Sequence, residues 1–282
     1  MSGEHKSGLQ SKDLSLEEFK AILPTLISQD IPVVLASDFD ETLCSQYVYD
    51  PKAISHKPNI LPALIDEANR IQSPVILVTS RSAEEKFFWD EACKLLASKN
   101  LPVICENGSV LFFPNSRDRE IVILAPADHL AKVNLIKQST FSENLFGSDV
   151  ELIIRKNRLA TVEFRIQSLE TKVGMPEFHE RLIKHLINSF DLEDLTIISS
   201  RSSLSLQSCQ IDKGSGLKKA LETLGIERKD IFIVAMGDAP NDAELLKCAD
   251  LSIAVKKGAL ANADFVVDSG DLAALEVMKS IK

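Results

Sequence analysis

Runs of valine, isoleucine and leucine, each broken by a short polar exit, recur along this chain. They predict strands buried on both faces at 31–37, 74–79, 102–105, 231–236, 251–255 and 265–267. Helical spacing fills the intervals, from Ser82, with Glu85 as its capping partner, to about residue 98, and from 215 to 224 ahead of Gly225. Strand and helix in alternation predict an α/β core with a doubly wound parallel sheet. Nearer the start, Ser15-Leu16-Glu17-Glu18 has the Ser-x-x-Glu pattern of a helix cap, so a short amphipathic helix is expected after a loose beginning and before Gln29.

The rhythm changes in the middle of the chain. Asn107-Gly108 predicts a tight turn, with hairpin strands at 110–113 and 121–124. A helix at 128–138 and strands at 151–155 and 161–166 follow, turned at Lys156-Asn157-Arg158. The same helix-strand-strand order then returns at 176–189, 195–199 and 203–207. That doubled unit predicts a small α+β layer on an antiparallel sheet, inserted into the larger core. The expected division is an N-terminal extension at 1–30, a core at 31–112 and 208–282, and the insert at 113–207.

Composition narrows the functional classes. Hydrophobic residues make up 45% of the 282 and charged residues 26%, an ordinary globular mixture. A net charge of -9 argues against a general nucleic-acid or anionic-membrane binder. The five cysteines show no C-x-x-C spacing, so a reduced cytoplasmic protein is expected, without disulfides or a zinc site. No apolar signal core and no run long enough to span a membrane is present.

Chemistry gathers where the buried strands end. Asp38 and Asp40 follow the first strand two residues apart, so alternation sends both acids to one side, where they repel unless a cation lies between them. A divalent metal is the expected answer. Thr79 follows another buried strand, and its hydroxyl and neighbouring main-chain N–H groups can hold a phosphate oxygen. Lys213, ahead of a helical pattern, offers a fixed ammonium for an incoming phosphate. Gly237 permits a sharp turn after the strand at 231–236, and Asp238 and Asp242 behind it are further hard oxygen ligands. Taken singly, each of these also reads as ordinary structure: a strand end with a Ser82 cap, a surface lysine, a helix-capping turn. Lys213-Gly214-Ser215-Gly216 has the wrong order for a nucleotide-binding loop.

In this order, each behind a buried strand, the four pieces resemble the four motifs of the haloacid dehalogenase superfamily of phosphotransferases. Asp38, Asp40 and Thr42 match the first, Thr79 the second, Lys213 the third, and Asp238, Asn241 and Asp242 the fourth. The insert resembles the α/β cap of the Cof-like branch, which includes sucrose-phosphate and trehalose-phosphate phosphatases and the phosphomannomutases. Thr79-Ser80-Arg81 and Glu106-Asn107-Gly108 resemble that branch's Thr-Gly-Arg and its Asn-Gly turn. Glu41 stands where the family often has glycine.

The resemblance implies a Mg²⁺-dependent phosphatase acting on a small phosphorylated metabolite, a sugar phosphate from the cap type. Asp38 would be the nucleophile and Asp40 the acid and base, with Thr42, Thr79, Lys213 and Asn241 at the phosphate. Mg²⁺ would be held by Asp38, the Asp40 carbonyl and Asp238, with Asp242 supporting. A phosphomutase and a non-catalytic phospho-ligand sensor are the alternatives, and a monomer or homodimer is expected. Arg155, Lys156, Arg158, Arg165 and Arg201 make the insert locally basic and read as a solvated face, outside the site. Phe87, Phe88 and Trp89 cannot all face one core, which leaves at least one for an interdomain or dimer contact. His5, His56, His129, His179 and His185 have no ligand spacing and receive no role.

Overall fold

The computed structural model describes residues 12–27, 31–43, 61–71, 74–85, 101–114, 116, 119–141, 150–168, 175–200, 203–255 and 263–281. In chain order the elements are β1 (Lys12–Asp13), α1 (Leu16–Leu26), β2 (Val33–Ser37), α2 (Leu61–Arg70), β3 (Val75–Leu77), β4 (Val103–Cys105), β5 (Val110–Phe112) and β6 (Ile121–Ile123). Then come α3 (Ala127–Gln138), β7 (Val150–Ile154), β8 (Val162–Ser168), α4 (Met175–Ser189), β9 (Leu195–Ser199) and β10 (Ser203–Ser208). The chain finishes with α5 (Lys213–Thr223), β11 (Phe232–Gly237), α6 (Ala243–Lys247), β12 (Leu251–Val255), β13 (Phe265–Val267) and α7 (Gly270–Ser280).

Six strands form one sheet in the order β1-β13-β12-β11-β2-β3, and every pairing is parallel. Strand alternation explains how both faces are covered. Val33 and Leu35 of β2, with Val234 and Met236 of β11, face a layer holding Phe19 of α1, Leu64 of α2 and Val277 of α7. Val34, Ala36, Ile233 and Ala235 face the opposite layer, which holds Leu217 of α5 and Leu245 of α6. With both faces buried, these strands read in sequence as unbroken apolar runs.

The segment at 1–30 is not separate from this core where it is described. Ser15 caps α1 with the full reciprocal box, and β1 adds a short parallel edge to β13. Phe19 and Leu23 are completely buried, worth roughly 1.5–3 kcal/mol each relative to exposure, which anchors α1 on α7 and β13. At the far edge, Val78 bridges Ile104 in parallel and joins the sheet to the antiparallel trio β4-β5-β6. The β6 strand therefore pairs on the core side, although it lies beyond residue 113.

The remaining strands form a separate antiparallel sheet in the order β7-β8-β10-β9. One of its faces packs Val162, Phe164, Leu204 and Leu206 against Val133 of α3 and Phe178, Leu182 and Leu186 of α4. Where the helix from Ser82 is expected, the described residues form a turn, closed by the N–H of Glu85 on the carbonyl of Ser82. The rest of it, with Phe87, Phe88 and Trp89, lies outside the described residues, as does Arg201. No helix among the described residues is long and apolar enough to cross a membrane.

Candidate active site

Neighbouring strands bring three of the four sequence motifs to one edge. Met236 of β11 lies beside Ser37 of β2, and Ser37 beside Leu77 of β3. Backbone bonds carry the alignment past the strand ends, from the Asp38 N–H to the Met236 carbonyl at 3.0 Å and from the Val78 N–H to the Ser37 carbonyl at 2.8 Å. Asp38, Thr79 and Asp238 consequently emerge together at the carboxyl end of the parallel sheet, where open α/β folds bind ligands.

Lys213 reaches this edge from the opposite layer. It occupies the first turn of α5, behind the N-cap Asp212, whose side chain and that of Ser215 exchange bonds with each other's backbone N–H. Its ammonium is buried and lies 2.6 Å from Oδ1 of Asp38 and 2.5 Å from Oδ1 of Asp242. The glycines after it are there for packing: a Cβ on Gly214 would fall 2.4 Å from the Glu244 carbonyl oxygen, and one on Gly216 2.7 Å from Cα of Gly108. This accounts for Lys-Gly-Ser-Gly without a nucleotide.

Asp242 is satisfied on both oxygens, since Oδ2 accepts the N–H groups of Asp238 and Ala239, each at 2.9 Å. Thr42 donates its hydroxyl to Oδ1 of Asp238 at 2.9 Å, and Asn241 donates its amide to Oδ1 of Asn107 at 3.0 Å. The structure thus places Thr42 against the acidic loop, and turns the side chain of Asn241, within that loop, to Asn107. Thr79 accepts the Arg81 N–H on its hydroxyl oxygen at 3.2 Å, while its own N–H goes to the Ile104 carbonyl at 2.7 Å. The main-chain N–H groups of Thr79 and Arg81 are therefore bonded within the protein, and the Thr79 hydroxyl keeps its proton to donate. Glu41 has φ 62°, a left-handed conformation that glycine adopts more readily than other residues.

Asp40 sits at the rim. Arg81 holds it through two bonds, Nε to Oδ2 at 2.8 Å and Nη2 to Oδ1 at 2.7 Å, and turns its remaining nitrogen to Glu85 at 2.9 Å. In the sequence this arginine stands out only as part of Thr79-Ser80-Arg81, and nothing there marks its grip on Asp40.

Electrostatics set the character of the site. Burial pushes the Asp38 carboxyl well above the usual range, the Asp242 and Asp40 carboxylates push the same way, and the Lys213 ammonium only partly offsets them. Burial also opposes charge on Lys213, but the Asp242 and Asp38 carboxylates outweigh it and hold the ammonium more firmly protonated than an ordinary lysine. Oxygens of Asp38, Asp238 and Asp242 lie within 4.8 Å of one another. One ammonium facing three clustered carboxylates leaves an excess of negative charge, and an all-oxygen donor set suits a hard divalent cation such as Mg²⁺.

Two residues take roles that the sequence does not predict. Glu106 is buried and its carboxylate accepts four bonds from residues 159–161 of the insert. Arg158, expected in solvent, is also buried: it donates to the Ser80 carbonyl and pairs with Glu163. Arg165 pairs with the same Glu163. No periodicity marks contacts of this kind, because they join segments some fifty to eighty residues apart.

Comparison with known proteins identifies the family of the chain and its fold. Residues 155–274 match the family of haloacid dehalogenase-like hydrolases. A phosphoglycolate phosphatase of Methanococcoides burtonii is 39% identical over 181 residues, which cover 62% of this chain and 76% of that protein. The phosphoglycolate phosphatase of Methanosarcina mazei is 25% identical over 178 residues, 59% of this chain and 75% of its own. In fold, the C-terminal domain of C. albicans trehalose-6-phosphate phosphatase is similar with a TM-score of 0.67 at 13% identity, over 93% of this chain and 97% of that one. A phosphatase of the haloalkanoate (HAD) enzyme superfamily from Bacteroides thetaiotaomicron gives a TM-score of 0.58 at 16% identity, over 90% and 98%.

Proposed function

Because this chain belongs to the haloacid dehalogenase-like hydrolases and is a phosphatase of that family, we propose that it hydrolyses a small phosphomonoester in the cytoplasm, through an aspartyl-phosphate on Asp38 and with Mg²⁺. The observation that carries this reading is the convergence of Asp38, Lys213, Asp238 and Asp242 at one sheet edge, with Asp40 beside them.

An Asp38 oxygen attacks phosphorus in line with the leaving oxygen, forming the Asp38–phosphorus bond as the ester bond breaks. Asp40, standing at the rim, gives the departing alkoxide its proton. It then takes a proton from the water that attacks the aspartyl-phosphate, so that free phosphate and the original carboxylate are regenerated. Lys213 and the Thr79 hydroxyl bear on the phosphoryl oxygens. Thr42 and Asn241 serve the same end indirectly, one fixing the Asp238 carboxylate and the other the loop between Asp238 and Asp242. Asp38, the Asp40 carbonyl and Asp238 would hold Mg²⁺, with Asp242 bracing, and the ion would offset phosphoryl charge and align the reacting groups.

The four-stranded unit with α3 and α4 is the cap in this reading, closing over the reacting atoms and choosing the leaving group. Relatives named for phosphoglycolate and trehalose 6-phosphate make a small carboxylate ester and a sugar phosphate the first substrates to compare. The test is release of inorganic phosphate from p-nitrophenyl phosphate and from a panel holding both classes, with Mg²⁺ and with chelator. Mg²⁺-dependent release is expected. No release from any ester would remove the proposal, and phosphoryl transfer between hexose positions without free phosphate would favour a mutase.

A further inference from the structure

Three consecutive residues between β4 and β5 hold left-handed backbone: Glu106 at φ 50°, Asn107 at φ 54° and Gly108 at φ 103°. Two of them are not glycine and all three are buried. Such a conformation costs of order 1–3 kcal/mol at each non-glycine residue and persists only where the surroundings enforce it. The contacts of this turn show what enforces it.

Each residue of the turn reaches a different part of the molecule. The Glu106 carboxylate accepts the N–H groups of Leu159, Ala160 and Thr161 at 2.7, 2.9 and 3.0 Å, and the Thr161 hydroxyl at 2.8 Å. Asn107 accepts from Asn241, in the loop that carries Asp238 and Asp242. Gly108 lies so close to the start of α5 that a Cβ there would fall 2.0 Å from the Asp212 carbonyl oxygen, one residue before Lys213. Backbone bonds complete the set, from the Glu106 N–H to the Arg81 carbonyl at 2.9 Å and from the Asn107 N–H to the Thr79 carbonyl at 3.1 Å. Every loop that supplies a second, third or fourth motif residue therefore touches this turn, and so does the insert.

A buried carboxylate with four donors aimed at it is a strong, directional anchor, since each bond is charge-assisted and loss of the acceptor strands three backbone N–H groups. Two neighbouring contacts act in the same sense: Ser82 donates its hydroxyl to the Asn157 carbonyl at 2.5 Å, and Arg158 donates to the Ser80 carbonyl.

We propose that Glu106 is a positioning residue that docks the insert on the core, and that the turn at 106–108 couples this docking to the placement of Lys213 and of the loop from Asp238 to Asp242. The coupling rests on the phosphatase reading for its catalytic consequence, while the docking itself does not. When the insert is seated, Glu106 holds the turn in its strained form and the turn holds the phosphate-handling groups in register. When it lifts, the four bonds are lost and the strain is free to relax, loosening those groups between turnovers.

The test compares Glu106→Gln and Thr161→Val with the unmodified full chain. Glutamine is close to isosteric but turns an NH₂ group toward donors, whereas Thr161→Val removes one donor and leaves the turn untouched. Hydrogen exchange at the amides of 159–161 reads docking, and kinetics with p-nitrophenyl phosphate and Mg²⁺ read coupling. For Glu106→Gln, exchange is expected to rise at least ~tenfold and kcat to fall ~tenfold with KM changed less than about threefold, in a variant that remains folded. Thr161→Val should shift both in the same direction by about threefold, and it decides the question if Glu106→Gln does not fold. Unchanged exchange in the folded variants overturns the docking role, and raised exchange with unchanged kcat overturns the coupling. If the unmodified chain releases no phosphate from any ester, the phosphatase reading and the coupling built on it fail, while the exchange arm still decides the docking.

Discussion

Arg81 clasps Asp40 through both of the aspartate's oxygens, at 2.8 and 2.7 Å, and leans on Glu85 with its third nitrogen. A planar guanidinium fork fixes the direction of a carboxylate as well as its distance, which the point charge of lysine does not. Arg81→Lys is therefore expected to keep the fold and the charge while lowering kcat about tenfold, through misaimed proton transfer by Asp40. Steady-state kinetics with p-nitrophenyl phosphate check this, and a lysine variant as fast as the unmodified protein would detach Arg81 from the reaction.

The buried ammonium of Lys213 makes a second, independent claim about stability. Removing it in Lys213→Met leaves Asp38 and Asp242 buried without their cation, which is expected to cost about 3–5 kcal/mol at pH 7 in chelator. The pH dependence has a definite sign. Burial and the neighbouring carboxylates already raise the Asp38 pKa in the folded state, and loss of Lys213 raises it further. The folded variant then binds a proton that the unfolded chain releases, so its stability increases as the pH falls from 7 toward the unfolded value near 4. Urea denaturation of variant and parent at pH 7 and pH 5 should show the gap narrowing at pH 5. A gap that widens would contradict the charge arrangement.

The excess of acid at the site leads to an expectation about metal. Mg²⁺ bound to the folded state alone adds about 2.7 kcal/mol of stability at a hundred times Kd, and so raises Tm with concentration. Asp238→Asn is expected to abolish most of that shift while leaving the chelator-treated Tm within a few degrees of the parent. Thermal melts across a Mg²⁺ series measure both, and a full shift in the variant would move the ion elsewhere.

How much of this could be read along the chain follows from what each contact depends on. The strands were legible because burial on both faces leaves unbroken apolar runs, as at Val33–Ser37 and Leu251–Val255, and the α1 cap because Ser15 and Glu18 are local. The candidate site residues were legible as four short pieces behind those strands. Their mutual geometry was not, since Lys213 meets Asp38 across 175 residues of sequence. Glu106 and Arg158 were lost for the same reason: a buried carboxylate that accepts backbone N–H groups from a distant turn leaves no spacing to detect. The strands expected at 110–113 and 121–124 pair as β5 and β6, but an exposed strand such as Ile121–Ile123 carries no sign in sequence of which larger sheet it lies beside.

The central claim is that Asp38 is the group that takes the phosphoryl. Asp38→Asn keeps the size of the side chain, removes the attacking charge and leaves Lys213, Asp40 and Asp238 in place. Measured as phosphate release with saturating Mg²⁺, turnover is expected to fall at least about 10³-fold in a variant that remains folded. Turnover close to that of the unmodified protein would contradict the account.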